Sequence, residues 1–289
     1  MPVSTAPRTA LIFPGQGSQT PEMASVAAAQ TPRLAELATE LCGEDPFERV
    51  GESTRFAQPA IYCASLAYWE AGGRPLGAMV AGHSLGELAA LVAGGALDAE
   101  DGLALAVVRG RLMEEAARER PGGMLAALGE GDCDVPRLAA ELELTIANEN
   151  APGQLVLSGP EDALVEARRR LRGAGLKAIR LPVAGAFHSP AMSDAADRFR
   201  GELESVHFRA PRVPVFSSVA AAPFEDPRDG LAAALTRPVR WRLTLARMHE
   251  AGAGRFLEAG PGDVLTGLVR RSLADVRAET LSPLETAHA

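Results

Sequence analysis

The passage from Gly77-Ala-Met-Val-Ala-Gly82 into His83-Ser84-Leu85-Gly86-Glu87 constrains the fold more than any other stretch of the chain. A short apolar run with no charge reads as a buried strand. The five residues that follow, Gly82-His83-Ser84-Leu85-Gly86, fit Gly-x-Ser-x-Gly and predict a sharp turn from that strand into a helix. A serine held at such a turn stands clear of bulky neighbours. The helix start beyond it aims unpaired N–H groups at any developing oxyanion. Other short apolar runs share this habit of ending in turn residues. Ala10-Leu-Ile-Phe13 stops at Pro14-Gly-Gln-Gly17, Arg255-Phe-Leu-Glu258 stops before Gly260-Pro-Gly262, and residues 213–216 form one more. Helical patterns fall between them at about 24–41, 59–70, 86–94, 100–118, 229–235, 241–252 and 263–274. Strands alternating with helices predict a parallel sheet covered on both faces.

The texture changes after Gly122. Residues 124–128 read as a strand, 135–141 as a helix, 144–148 and 154–158 as strands, 161–172 as a helix and 178–183 as a strand. That order is β-α-β-β-α-β, the split unit of ferredoxin-like domains. The fold class expected is therefore α/β. A large α/β-hydrolase-like parallel-sheet domain, residues 1–121 and 189–289, carries an inserted small ferredoxin-like (βαββαβ) domain, residues 122–188.

Composition narrows the function. The 289 residues are 47% hydrophobic and 23% charged, which excludes a disordered or fibrous chain. With 29 basic against 37 acidic residues the net charge is −8, a poor basis for gripping nucleic acid. Cys42, Cys63 and Cys133 make no Cys-x-x-Cys pair and no metal-ligand spacing, so no metal site is expected. No apolar run reaches the ~18 residues of a membrane span, and residues 1–9 do not read as a signal peptide. The expectation is a cytoplasmic protein without membrane or nucleic-acid partners.

A serine nucleophile needs a base, and five histidines are available. His83 lies inside the turn, where its side chain points away from that of Ser84. His288 lies close to the end of the sequence, and His207 and His249 flank helices. His188 follows the last strand of the small unit, where the chain re-enters the large one and clefts form. Arg109 gives an independent clue. Its neighbours at three and four residues are Leu105, Ala106, Leu112 and Met113, so no carboxylate of its own helix pairs with it. Arg111, by contrast, has Glu114 and Glu115 in reach. An arginine on an apolar face needs a partner from elsewhere, either a protein carboxylate or a ligand carboxylate.

Five segments in this order carry a resemblance: Phe13-Pro-Gly-Gln-Gly-Ser-Gln19, Gly82-His-Ser-Leu-Gly-Glu87, Arg109-Gly-Arg-Leu-Met113, Gly185-Ala-Phe-His188 and Gly260-Pro-Gly262. Over about residues 8–275 the chain resembles the malonyl-CoA:acyl carrier protein transacylases and the related acyltransferase domains of polyketide synthases. The resemblance implies Ser84 as the acyl-accepting nucleophile and His188 as its base. It implies the N–H groups of Gln16 and Leu85 as the oxyanion hole. It also implies Arg109 as the group that binds the free carboxylate of a malonyl-type acyl group. In the family a backbone carbonyl near an Asn-Pro-Val-Gln-Trp segment orients the base. Here the segment reads Arg237-Pro-Val-Arg-Trp241, and the expected carbonyl is that of Arg240. Phe187 resembles the malonyl-selective members, where its bulk crowds an α-methyl group.

The implied reaction is ping-pong acyl transfer from an acyl-CoA, malonyl-CoA foremost, to the phosphopantetheine thiol of an acyl carrier protein, with no metal or redox cofactor. The Arg168-Arg169-Arg170, Arg172 cluster reads as an exposed helix face or as a docking patch for an acidic carrier. Two rival readings stand beside this one. A serine hydrolase or thioesterase would use Ser84 with Asp194 or Asp226 and His249, or an Asp229-Gly230 dyad. A non-catalytic carrier-docking protein of the same fold would be expected to lose at least one of Ser84, His188, Gln16 and Arg109.

Overall fold

The computed structural model describes residues 8–281. In chain order its elements are β1 (Arg8–Phe13), α1 (Met23–Gln30), α2 (Pro32–Cys42), α3 (Thr54–Ala71), β2 (Met79–Gly82), α4 (Gly86–Ala93) and α5 (Ala99–Glu119). Then follow β3 (Gly123–Leu128), α6 (Val135–Glu141), β4 (Thr145–Ala151), β5 (Gln154–Gly159), α7 (Glu161–Gly173) and β6 (Lys177–Arg180). The remainder is α8 (Ser193–Glu204), β7 (Val215–Ser217), β8 (Ala222–Pro223), α9 (Pro227–Ala233), α10 (Trp241–Glu250), β9 (Ala253–Glu258), α11 (Val264–Ser272) and β10 (Arg277–Thr280).

Two sheets result. The larger has the order β10-β9-β1-β2-β7-β8, parallel except for the antiparallel edge strand β8. Its central strands are apolar on both sides, as covered parallel strands must be: Ala10 to Phe13 and Met79 to Ala81 are buried without alternation. Leu11, Phe13 and Val80 pack with α3, α4 and α5, while Ala10, Ile12 and Phe256 pack with α10 and α11 on the other face. The smaller sheet, order β4-β5-β3-β6, is wholly antiparallel and realises the β-α-β-β-α-β order, with α6 and α7 burying Leu138, Leu164 and Leu171 against it. A backbone contact ties β4 of the smaller sheet to the segment between α9 and α10. Val239 runs parallel to β4, its N–H bonding the Ala147 carbonyl and its carbonyl accepting from Glu149 N–H, both at 2.8 Å.

Some expected elements differ. The single helix over 24–41 is two helices, because Pro32 has no N–H with which to continue α1 and instead opens α2. Helix α3 begins at Thr54 rather than Pro59. The proline removes one hydrogen bond inside the helix, but nearly every residue around it is buried, and that packing outweighs the loss. Strand β6 stops at Arg180, whose Nη1 donates to the carbonyls of Met124, Leu181 and Val183 and turns the chain out of the sheet. Strands β8 and β10 lack apolar runs: both β8 residues are exposed and only Ala278 of β10 is buried. Among the described residues no helix is long and apolar enough to cross a membrane. His288 lies outside the described residues.

Candidate active site

Parallel pairing places the carboxyl ends of β9, β1, β2 and β7 along one edge of the large sheet. Ligands of open α/β sheets bind outside such edges. Here the edge gathers the loops Gly260-Pro-Gly262, Pro14-Gly-Gln16, His83-Ser84-Leu85 and the turn after Ser217. The small sheet and the residues after β6 form the opposite wall. The cleft between them, about 200 Å³, is lined by Gln16, Ser84, Leu85, Arg109, Phe187 and His188 among others. It shares Gln16, Leu181 and Phe187 with a wider groove of about 980 Å³ that leads away from it.

The turn at Ser84 is as tight as its sequence predicts. Ser84 has φ 53°, a left-handed conformation that costs a non-glycine residue on the order of 1 kcal/mol. Only glycine fits on either side. A Cβ on Gly82 would lie 1.9 Å from the Gly86 carbonyl carbon, and one on Gly86 would lie 2.2 Å from the Phe13 carbonyl oxygen. The elbow is thus pressed against the end of β1, next to the loop that bears Gln16. Helix α4 is buried along almost its whole length, which fixes the direction in which Ser84 points.

His188 meets it. Its Nε2 lies 2.9 Å from Ser84 Oγ, and its Nδ1 lies 2.7 Å from the Ala234 carbonyl oxygen. A carbonyl only accepts, so Nδ1 carries the hydrogen and Nε2 presents its lone pair to the serine hydroxyl. His188 is also left-handed, with φ 56°. The expectation that Arg240 supplies the orienting carbonyl is wrong. The Arg240 carbonyl accepts from Thr244, N–H and hydroxyl alike, because Arg240 caps α10. The segment around it is pinned to β4, and the carbonyl that His188 bonds is six residues earlier, at the end of α9, with the backbone of Arg237 also favouring the protonated ring. Burial and the neighbouring Arg109 charge push the imidazole down to about 3, so it is neutral in the folded protein near neutral pH.

Arg109 comes from α5. Gly110 lets that helix approach the start of α3, since a Cβ there would lie 2.8 Å from the Thr54 carbonyl oxygen. Arg109 is 3% exposed. Its Nη2 donates to Ser84 Oγ at 3.0 Å and its Nη1 to Gln58 Oε1 at 2.7 Å. No carboxylate among the described residues lies within ion-pair distance of it, and burial lowers it to about 10. Gln58 is held in turn, its Nε2 donating to Thr54 Oγ1 at 2.9 Å, and the Thr54 hydroxyl donates to Gln16 Oε1 at 3.0 Å. Gln16 and Leu85 both line the cleft, and the N–H of neither has a hydrogen-bond acceptor among the described residues. The arrangement offers a hydroxyl with a neutral base on one side, a buried cation on the other, and free N–H donors nearby.

Sequence reasoning did not single out Gln58, Ala234 or Asn150. Asn150 Oδ1 accepts from His83 Nε2 at 2.9 Å, which turns that ring away from Ser84 and against Trp241. The rival groups do not converge on the serine. His249 Nδ1 bonds the Ala253 carbonyl, Asp226 caps α9, and Asp194 pairs with Arg120 at the surface. In the α7 cluster, Arg169 pairs with Glu166 and Arg170 with Glu141, as on a solvated helix face.

This fold and cleft define an acyl transferase: residues 44–287 match the acyl transferase domain family, and the chain belongs to it. It is 36% identical over 295 residues to the malonyl CoA-acyl carrier protein transacylase of Escherichia coli K12, covering 94% of this chain and 95% of that protein. It is 42% identical over 283 residues to the polyketide biosynthesis protein ThaF of Burkholderia thailandensis, covering 91% of this chain and 24% of that much longer protein. The structure of the malonyl CoA-acyl carrier protein transacylase from Coxiella burnetii matches with a TM-score of 0.88 at 33% identity, covering 97% of this chain and 96% of that one.

Proposed function

We propose that the protein moves a malonyl-type acyl group from coenzyme A to the phosphopantetheine thiol of an acyl carrier protein through an acyl ester on Ser84. One observation carries the reading: Ser84 Oγ lies between His188 Nε2 at 2.9 Å and Arg109 Nη2 at 3.0 Å. Two relatives similar along nearly their whole length bear the name malonyl CoA-acyl carrier protein transacylase, which supports the choice of substrates.

Ser84 Oγ attacks the thioester carbonyl while His188 Nε2 takes its proton. The Ala234 carbonyl stabilises the imidazolium that forms, because it accepts from Nδ1. The N–H groups of Gln16 and Leu85 hold the tetrahedral oxyanion, each such donor being worth about 3 kcal/mol. Collapse expels the CoA thiolate, which recovers the proton from His188. The carrier thiol then gives its proton to His188 and attacks the acyl-serine, and the mirror-image collapse returns that proton to Ser84. Arg109 binds the free carboxylate of the acyl group as a bidentate fork. These steps need no metal or redox cofactor.

Intact-mass measurement after mixing with malonyl-CoA tests the reading. One malonyl adduct is expected on the wild type and none on Ser84→Ala. His188→Ala should slow acylation by about 100- to 10,000-fold. Steady release of CoA without any acceptor thiol would instead mark a hydrolase.

A further inference from the structure

The elbow helix carries an acid that these steps do not use. Glu87 stands three residues after Ser84, in the first turn of α4, and is fully buried. Its Oε1 accepts the Ser218 N–H at 2.6 Å and the Ser218 hydroxyl at 2.9 Å. Its Oε2 is buried without a hydrogen-bond partner among the described residues. Buried carboxylates are rare unless something specific holds them. Here the hydrogen-bonding contact is Ser218, on the turn after β7, and the charge of Arg109 also favours the ionised carboxylate.

Ser218 leads on to the base. Its carbonyl accepts the Arg240 N–H at 2.7 Å. Arg240 closes the segment that begins with Ala234, whose carbonyl orients His188. A ring of contacts therefore runs from Ser84 through Glu87, Ser218, Arg240, Ala234 and His188 back to Ser84. Glu87 is the link at which the nucleophile's helix is joined to the segment behind the base. We propose that Glu87 is a positioning residue for acyl transfer, setting the spacing between the helix that follows Ser84 and the segment that orients His188. It touches no reacting atom. The inference rests on the reading of Ser84 and His188 as nucleophile and base.

Burial pushes the Glu87 carboxyl up to about 7. A neutral carboxyl has the same shape as glutamine, and glutamine keeps the Oε1 acceptor. The test compares wild type, Glu87→Gln, Glu87→Ala and Ser218→Ala. Three quantities are read on each: kcat and KM for acylation by malonyl-CoA, the rate at which a fluorophosphonate probe labels Ser84, and thermal melting. Glu87→Gln should stay within about threefold of wild type, because the acceptor survives. Glu87→Ala strands two buried donors of Ser218. It should lower kcat and probe labelling about 30-fold at unchanged KM, within the range for leaving buried donors unsatisfied. Ser218→Ala removes one donor and should lower both about fivefold.

A folded Glu87→Ala protein with wild-type kcat overturns the proposal, and so does a Gln variant as slow as the Ala variant. If Glu87→Ala does not fold, Ser218→Ala decides, and wild-type rates there overturn it. A wild type that reacts with the probe but takes up no malonyl group fails the functional reading instead, while the labelling rates still test the role of Glu87.

Discussion

The guanidinium of Arg109 donates directly to Ser84 Oγ, at 3.0 Å, although Arg109 comes from α5 and Ser84 from the turn that precedes α4. A cation so placed serves two ends. It favours negative charge at the oxygen, and it lies within reach of a carboxylate carried two carbons from an ester on that oxygen.

Substrate choice should therefore fail before catalysis does when Arg109 is removed. Arg109→Ala loses a charge-assisted bidentate contact to a malonyl carboxylate, about 2–4 kcal/mol, or roughly a 30- to 1,000-fold drop in kcat/KM. Acetyl transfer should fall much less, since acetyl has no carboxylate. Arg109→Lys should recover only part of the malonyl rate, because a point charge does not reproduce the fork. Equal losses with malonyl-CoA and acetyl-CoA would show that Arg109 has no part in selectivity.

Gln58 holds the far side of the same guanidinium, so it should matter in the same sense and less. Gln58→Ala frees Nη1 and should lower kcat/KM for malonyl-CoA about tenfold, with a smaller effect on acetyl-CoA. Gln58→Glu would supply the carboxylate that Arg109 lacks. It should abolish the preference for malonyl over acetyl groups while leaving the protein folded. Competition between the two thioesters in one reaction measures this directly, and an unchanged preference in Gln58→Glu would contradict the account.

Most of this site was legible because it is built from local signals. The elbow at Ser84 is a strand, a pair of glycines and a helix, all within one stretch of sequence. Arg109 announced itself by what its helix lacks. Gln58 was hidden by an error about α3: starting that helix at Pro59 left Gln58 outside it, whereas a buried polar residue in an apolar helix is a readable signal. The Ala234 carbonyl was not readable at all. A backbone oxygen carries no residue identity, and which one faces His188 depends on the pairing of Val239 with β4 across 90 residues of chain. The edge strands β8 and β10 escaped because exposed strands need no apolar run.

The glycine at the end of the elbow gives a stability test separate from chemistry. A Cβ on Gly86 would meet the Phe13 carbonyl oxygen at 2.2 Å, and that oxygen belongs to the central strand and cannot step aside. Gly86→Ala should cost about 1–3 kcal/mol or more, and should lower acylation as Ser84 shifts. Gly267→Ala is the control, since nothing lies within 4 Å of a Cβ built there and its helical backbone accepts alanine. Urea unfolding of both variants decides it, and equal midpoints would mean that the elbow is looser than described.

The last prediction concerns pH. An ordinary imidazole titrates near 6.5, but burial first and the Arg109 charge second hold His188 down at about 3. The base is therefore neutral and competent across the neutral range and well into acid. In the free enzyme, kcat/KM for malonyl-CoA should stay flat as pH falls through 6.5, with its acid limb only far below that value. The sign for stability is the same. The unfolded chain takes up this proton first, so stability contributed by the neutral ring is intact above about 6.5 and declines as pH drops toward 3. Arg109→Ala removes the repelling charge and leaves the burial in place. It should move the acid limb upward, toward the ordinary histidine range, without reaching it. That displacement is best read with acetyl-CoA, whose transfer does not depend on the carboxylate contact. An acid limb already at 6.5 in the wild type would show that His188 is hydrated in the working enzyme. A limb that stays put in Arg109→Ala would show that the guanidinium does not act on the base through space, leaving burial alone to hold it neutral.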